Sequence, residues 1–508
     1  LLYTGWCAFF KIVLNKSLLF EKNEDEAMSQ KIKFGTDGWR AIIAEQFTFE
    51  NVELVTKAVV GYIKKTYPSD KPVVIGYDTR FLATKFAQRA ACVLNDYGIN
   101  VKMVNRDAPT PVIAFSAKEL DTAGALMFTA SHNPPEYCGI KYIPDYAGPA
   151  TADITDVIVS NVEKLQQGDE SFLQKADKKG IVENFDPKPK YLEWIRKLVD
   201  LEKIKQNPVK VYYDPMYATG RGYLDELLKE AGCDVTVIHD WIDPLYGGSM
   251  PEPKAEYLGE ITEMIKSSGP AIGFANDGDA DRFGVIDEDG CYYMPNMVIA
   301  ILMRHLVKNK GFKGSVVRTV ATTHMLDMLA REYGLNIHET SVGFKHVGQI
   351  MRQEDVVIGG EESGGLSILH HIPEKDGIIA NLLIVEAMAY EQKSLKDLCK
   401  DLKAEIGHEF FNERLDLKVD DIVKKAFVQK LAKNPPDKVN GIKVSKVSTM
   451  DGAKLYLEDD SWILTRPSGT EPLLRVYVEA HSLDSMQQII KEMKELLEEV
   501  KKEAGAIV

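Results

Sequence analysis

The chain is 508 residues long, too long for one hydrophobic core, and roughly three or four domains are expected. A content of 45% hydrophobic and 27% charged residues is that of an ordinary globular protein. A net charge of −14, from 62 basic and 76 acidic residues, argues against nucleic acid or an anionic membrane as partner, and makes any phosphate site a local concentration of Arg and Lys.

Residues 1–20 are fairly apolar but are broken by Lys11, Asn15, Lys16 and Ser17, with no small-residue cleavage site. A signal peptide is therefore the losing reading. No other run approaches the ~20 apolar residues of a membrane span. Met28 directly precedes the stretch that leads to Arg40, so residues 1–27 are expected to be an upstream extension outside the fold. The six cysteines, Cys7, Cys92, Cys138, Cys233, Cys291 and Cys399, are scattered without a Cys-x-x-Cys pair. They suggest neither zinc nor a disulfide framework, and a cytoplasmic setting is expected.

Phe34-Gly35-Thr36-Asp37-Gly38-Trp39-Arg40 comes first. Glycines around an Asp predict a tight turn that holds Arg40 toward a cleft, with a surface hairpin as the competing reading. A strand from Val73 to Gly76 leads through the polar turn Asp78-Thr79-Arg80 into a helix ending near Tyr97. Gly98 is its C-cap, and Val101–Val104 is the next strand. The apolar run Ala123–Phe128 predicts a buried strand that enters Thr129-Ala130-Ser131-His132-Asn133-Pro134-Pro135. The two prolines forbid a helix, so Ser131 is expected on a stiff loop at a strand's C-terminal end, where α/β sheets carry their chemistry. Lys141, in Gly139-Ile140-Lys141-Tyr142, is expected on the same loop. A hydroxyl beside an ammonium suits a nucleophile whose oxygen will carry negative charge. An ordinary Ser-Asn-Pro turn is the alternative.

The strand–helix–Gly–strand pattern recurs from Val209 through Gly232 and from Ser315 through Gly334, which predicts three related α/β domains with mixed or parallel sheets. In the second, a strand over Ala271–Ala275 runs into Asn276-Asp277-Gly278-Asp279-Ala280-Asp281-Arg282. Carboxylates at alternate positions converge on one hard cation, and Mg2+ is favoured because so few protein ligands leave room for phosphate and water. An EF-hand fails because Arg282 stands where the turn needs Gly, and because the flanks are strands. A solvated acidic loop is the plain alternative. In the third, Gly359-Gly360-Glu361-Glu362-Ser363-Gly364-Gly365 follows a strand over Val356–Ile358. Its glycines clear space for a ligand, while Glu361 and Ser363 offer acceptors and a donor for sugar hydroxyls. A plain turn is again the alternative.

After residue 404 the pattern changes. Alternating runs over 454–457 and 474–478 predict strands of a half-exposed antiparallel sheet. A final helix, capped by Ser482, gathers Met486, Ile489, Ile490, Met493, Leu496, Leu497 and Val500 on one face, so the last domain is α+β. Between the strands, Thr465-Arg466-Pro467-Ser468-Gly469-Thr470-Glu471-Pro472 combines a guanidinium fork, two hydroxyls and Gly-freed N–H groups into an anion nest. A structural turn is the competing reading. No Walker sequence occurs and the histidines show no metal-ligand spacing. Expected domains are 28–185, 186–289, 290–403 and 404–508.

In this order the stretches resemble the motifs of the α-D-phosphohexomutases, over residues 34 to 478. The resemblance implies four domains around a central cleft. It implies a phosphoserine at Ser131 with Lys141, Arg40 and His132 as catalytic neighbours. Mg2+ would sit on Asp277, Asp279, Asp281 and phosphorylated Ser131, with Arg282 aimed at the reacting phosphate. Val342, Gly343, Lys345, Glu361, Ser363, His371 and Lys375 would contact the sugar. Arg466, Ser468, Gly469 and Thr470 would grip the phosphate that is not transferred. The implied reaction interconverts hexose 1- and 6-phosphates, with glucose 1,6-bisphosphate as intermediate and activator, in a monomer or small homo-oligomer. Three positions depart from the family pattern. Cys138 replaces the usual Asn, Val342 stands where some members have Thr, and Gly365 stands where many phosphomannomutases and phosphoglucosamine mutases have His. The stretch His371-Ile372-Pro373-Glu374-Lys375-Asp376-Gly377 is instead similar to the phosphoglucomutase branch, so glucose phosphates are the expected substrates and mannose phosphates the next. Phosphoglucosamine mutase, a metal phosphatase and a non-catalytic phosphosugar-binding protein are the rivals.

Overall fold

The computed structural model describes residues 32, 34, 35, 38–68, 70–467 and 473–505; the extension expected over 1–27 lies outside them. Its first sheet is built from β1 (Trp39–Ile42), β2 (Val73–Tyr77), β3 (Val101–Val104), β4 (Ala125–Phe128), β5 (Tyr137–Ile143) and β6 (Val182–Phe185). The spatial order is β1-β5-β4-β2-β3-β6. β2, β3 and β4 pair in parallel, whereas β5 returns antiparallel beside β4. Local sequence explains the helices between them. In Phe49–Thr66, Thr48 caps the first turn by accepting from Asn51 N, and Val52, Val55, Val59 and Ile63 form the buried stripe.

The second sheet contains β7 (Lys210–Asp214), β8 (Asp234–Val237), β9 (Ile272–Asn276), β10 (Phe283–Ile286) and β11 (Tyr292–Tyr293), ordered β11-β10-β9-β7-β8. The third contains β12 (Ser315–Thr319), β13 (Ile337–Thr340), β14 (Val356–Gly360) and β15 (Leu366–Ile368), ordered β13-β12-β14-β15. One module recurs in all three sheets. Counted along the chain from β2, β7 and β12, its strands lie in the order 4-3-1-2, and the fourth alone is antiparallel to its neighbour. The expected kinship of the three units is therefore a shared topology, with mixed sheets throughout.

The last unit is different. β16 (Phe411–Lys418), β17 (Lys438–Val439), β18 (Ile442–Ser448), β19 (Ala453–Leu457), β20 (Trp462–Pro467) and β21 (Leu473–Ala480) form a wholly antiparallel sheet, ordered β16-β21-β20-β19-β18-β17. The helices Asp421–Lys433 and Leu483–Gly505 pack on it and on each other. Ser482 caps the second of these, its Oγ accepting from Ser485 N at 3.1 Å.

The apolar interior divides unequally. One continuous cluster runs from Ile32 to Phe410 through the first three sheets. The last unit has its own, around Phe427, Leu455, Ile463, Val476, Ile489 and Met493. A small separate patch at the junction of the third and last units brings Val320 and Ala321 against Trp462, Leu464 and Tyr477. Among the described residues no helix is long and apolar enough to cross a membrane.

Candidate active site

The repeated module decides where chemistry can gather. In each of the first three units the link from the third to the fourth strand carries one of the singled-out stretches: residues 129–136 after β4, 277–282 after β9 and 361–365 after β14. These links leave the carboxyl ends of strands beside the point where the sheet's strand order reverses, the usual ligand crevice of open α/β sheets.

The first two links touch. Ser131 Oγ donates to Asp277 Oδ2 at 2.8 Å and lies 3.2 Å from His132 Nδ1. A Cβ on Gly278 would fall 2.5 Å from the Ser131 carbonyl oxygen, so only glycine lets the loops approach so closely. Ser131 itself is held at φ +52, and its N–H donates to Thr129 Oγ1 at 2.8 Å. That conformation is uncommon for a residue with a Cβ and persists only when its surroundings over-determine it.

Asp277, Asp279 and Asp281 are buried, with one carboxylate oxygen from each lying within 4.8 Å of the others. Lys141 Nζ donates to Asp279 Oδ2 at 2.7 Å and to Asp281 Oδ2 at 3.4 Å. Lys375 Nζ lies 3.1 Å from Asp281 Oδ2, and Thr110 Oγ1 donates to Asp279 Oδ2 at 2.6 Å. Two oxygens, Asp279 Oδ1 and Asp281 Oδ1, are buried with no hydrogen-bond partner. A buried, unsatisfied carboxylate oxygen is costly unless something positive meets it. An all-oxygen set with two oxygens free for a ligand fits a small hard cation of the Mg2+ type.

The local charges follow from that crowding. Burial and the Asp279 and Asp281 charges push the Asp277 carboxyl well above its usual range. Burial would raise Asp279 as well, but Lys141, by charge and hydrogen bond, together with Thr110, holds it far below. Burial would lower the Lys141 ammonium, and the two carboxylates reverse this, so it stays charged. The His132 imidazole is kept neutral by burial and by the Arg282 and Arg40 charges.

Around this centre, Arg40 Nη1 donates to Asn133 Oδ1 at 2.7 Å. Arg282 has its N–H on Asp277 Oδ1 at 3.0 Å, and its guanidinium lies 3.4 Å from Glu252. On the third unit, Glu361 Oε1 accepts from Gly343 N at 3.0 Å, and Lys345 sits in the first turn of the helix Phe344–Met351. Ser363 is half-buried on its loop. Asp451 of the last unit ties two groups together: Oδ2 accepts from Val342 N at 3.0 Å and Oδ1 from Arg466 Nε at 2.8 Å.

Family profiles match this chain along nearly all of its length. They are described as phosphoglucomutase/phosphomannomutase alpha/beta/alpha domain I over residues 31–169, domain II over 189–290, domain III over 294–406 and the C-terminal domain over 418–496. The chain belongs to the phosphoglucomutase/phosphomannomutase family. A phosphoglucomutase/phosphomannomutase of Thermococcus kodakarensis is 32% identical over 92% of this chain and 99% of its own length. A probable phosphoglucosamine mutase of Methanothermobacter thermautotrophicus is 28% identical over 92% and 98%. Among solved structures, a putative phosphomannomutase from Thermus thermophilus superposes with a TM-score of 0.80 at 32% identity, covering 93% of this chain and 100% of that one.

Of the residues singled out in its sequence, this phosphohexomutase, an intramolecular phosphotransferase, brings Ser131, His132, Lys141, Arg282 and Lys375 to the three-Asp cluster. Two are placed differently from expectation. Lys141 lies not on the Ser131 loop but on β5, opposite Met127, because the chain turns straight back into an antiparallel strand. His371 does not join the cluster. Its side chain is enclosed, with Nδ1 accepting from Trp194 Nε1 at 3.1 Å and Nε2 2.9 Å from Asp376 Oδ2. Gly365 is accounted for by packing: a Cβ there would meet Lys375 Cδ at 2.3 Å, so the Lys375 stem lies where a larger residue's side chain would begin. Ser468, Gly469 and Thr470 lie outside the described residues. Thr110, Glu252, Asp451 and the buried Arg80 were not singled out as site residues. Thr110 opens a helix through an unremarkable Pro-Thr-Pro, and only its contact with Asp279, 169 residues away, reveals it.

Proposed function

We propose that this phosphohexomutase interconverts glucose 1-phosphate and glucose 6-phosphate, and takes mannose phosphates as second substrates. The reading rests on one observation above all, the Ser131 hydroxyl 2.8 Å from Asp277 in a buried acidic cluster with two unsatisfied carboxylate oxygens. Phosphorylated Ser131 gives its phosphoryl group to the free hydroxyl of the hexose phosphate, which yields a 1,6-bisphosphate and free serine. The bisphosphate turns over and returns its other phosphoryl group to Ser131. Phosphoryl transfer asks mainly for positioning and charge neutralisation. Mg2+ held by Asp277, Asp279 and Asp281 would neutralise charge on the transferring group. Lys141 fixes Asp279 and Asp281 and adds a positive charge, and Arg40 and Arg282 add two more.

Gly343, Lys345, Glu361, Ser363 and Lys375 take the sugar hydroxyls. Arg466, with Ser468, Gly469 and Thr470, takes the distal phosphate, which a bidentate guanidinium recognises in either orientation of the intermediate. Support for glucose over glucosamine comes from Gly365 and from Lys375 folded over it. The second reading, phosphoglucosamine mutase, is favoured by the name of the Methanothermobacter relative. Comparing kcat/KM for glucose, mannose and glucosamine phosphates separates the two, and the glucose reading fails if glucosamine 6-phosphate is preferred. Ser131→Ala should abolish turnover and labelling from bisphosphate. Release of inorganic phosphate without isomerisation would make the protein a phosphatase instead.

A further inference from the structure

Arg80 leaves the end of β2 and is only 3% exposed, yet its guanidinium touches no substrate-facing side chain. Nη2 donates to the carbonyl oxygens of Ser131 at 2.7 Å and Asn133 at 2.6 Å. Nη1 donates to those of Pro134 at 2.7 Å and Tyr137 at 2.9 Å. Nε lies 3.2 Å from Asp78 Oδ2, and the Tyr246 ring covers the guanidinium, its centroid 5.1 Å from Cζ. The four Nη hydrogens are thus all committed to carbonyls, and the charge is met by Asp78. Only Nε–H makes no hydrogen bond, and it is buried against Asp78, so this arginine differs in kind from Arg40, Arg282 and Arg466.

The loop's own sequence creates the need. Pro134 and Pro135 have no N–H, so the segment closes on itself only through Asn133 N to the Ala130 carbonyl at 3.0 Å and Tyr137 N to the Pro134 carbonyl at 3.1 Å, and the carbonyls of Ser131 and Asn133 take an outside donor. A planar five-donor fork supplies four from one point. Those four bonds span the loop from Ser131, held at φ +52, to Tyr137, the first residue of the strand that carries Lys141. Tyr246, which closes the other face, belongs to the second unit, in the segment between β8 and β9, and is itself 3% exposed.

We infer that Arg80 is a positioning residue for phosphoryl transfer: it locks Ser131 and the start of β5 into one frame, and through Tyr246 that frame depends on the docked second unit, which also carries the Asp cluster. This rests on the reading of Ser131 as the phosphoryl carrier. The test is the rate at which glucose 1,6-bisphosphate labels Ser131 of the full-length protein, followed by quenched-flow intact mass, alongside KM and kcat. Arg80→Lys keeps the charge but offers three donors at a point that cannot reach carbonyls at both ends of the loop. Labelling should slow by about 100-fold, the order expected of a misplacement near 1 Å, with KM for the hexose phosphate nearly unchanged. Tyr246→Leu, which touches no loop carbonyl, should slow labelling by about 10-fold with the same KM. A folded Arg80→Lys variant that labels at the wild-type rate, or that loses only KM, overturns the inference. Should Arg80→Lys not fold, an unaffected Tyr246→Leu overturns it instead. Wild-type protein that never carries phosphate at Ser131 would fail the underlying reading, which is a distinct result.

Discussion

Gly278 shows how little room the reaction has. A methyl group there would need the Ser131 carbonyl, a backbone atom 2.5 Å away, to move. Gly278→Ala should therefore part the two loops, costing about 1–3 kcal/mol of stability and about 100-fold in kcat. Thermal denaturation and steady-state assays would check both, and an unchanged kcat would refute the close approach. At this scale the sequence was most legible where chemistry-bearing residues stand together. Asp277, Asp279 and Asp281 lie within five residues and announce a cation on their own. Thr110 and Asp451 act across long sequence separations from positions that look like an ordinary helix start and an ordinary hairpin, so spacing carries no sign of them. His371 shows a further limit. A histidine beside candidate site residues reads the same in sequence whether its ring faces a ligand or closes a buried network with Trp194 and Asp376.

At the scale of elements, the parallel strands and their helices were readable because apolar runs, glycine caps and helical stripes each leave a periodic trace. The antiparallel fourth strands were not. β15 has three residues, too few for an alternation, and β5 alternates too weakly to be told from the loop before it. That is why Lys141 was expected on the loop. The segment from β15 into the helix Gly377–Glu391 matters most here, because Asp376 caps that helix by accepting from Ile378 N at 2.9 Å and Ile379 N at 3.1 Å. The same carboxylate accepts from Tyr191 OH at 2.6 Å, which ties the second unit's first helix to the loop that presents Lys375. Asp376→Ala loses a cap and orphans two buried polar groups, so a loss of about 2–4 kcal/mol is expected. Lys375 would then be displaced, and KM for the sugar phosphate should rise more than kcat falls. Equal changes in both would argue against that route.

For the whole molecule, the weak point is the junction of the third and last units. Glu339 accepts there from Arg318 Nη1 at 2.6 Å and from the buried Lys454 at 2.8 Å. Burial alone would raise the Glu339 carboxyl, but the Arg318 and Lys454 charges bring it down to about 2. A carboxylate lowered from about 4.5 in the unfolded chain contributes stability that is complete above that pH and lost as pH falls through about 2. Pepsin cleavage between the third and last units should therefore accelerate across that window, and Glu339→Gln should flatten the dependence. A profile identical in the variant would remove Glu339 from the account. The divided interior has a thermal consequence as well. Three units on one continuous cluster should melt together, while the last, with its own cluster, should absorb heat separately, with an enthalpy of about 60–80 kcal/mol for a body of roughly 100 residues. Calorimetry should then record a small endotherm beside a large one. A bisphosphate that bridges both bodies would draw the small peak toward the large, because a ligand held by two partners makes each one's unfolding wait on the other's.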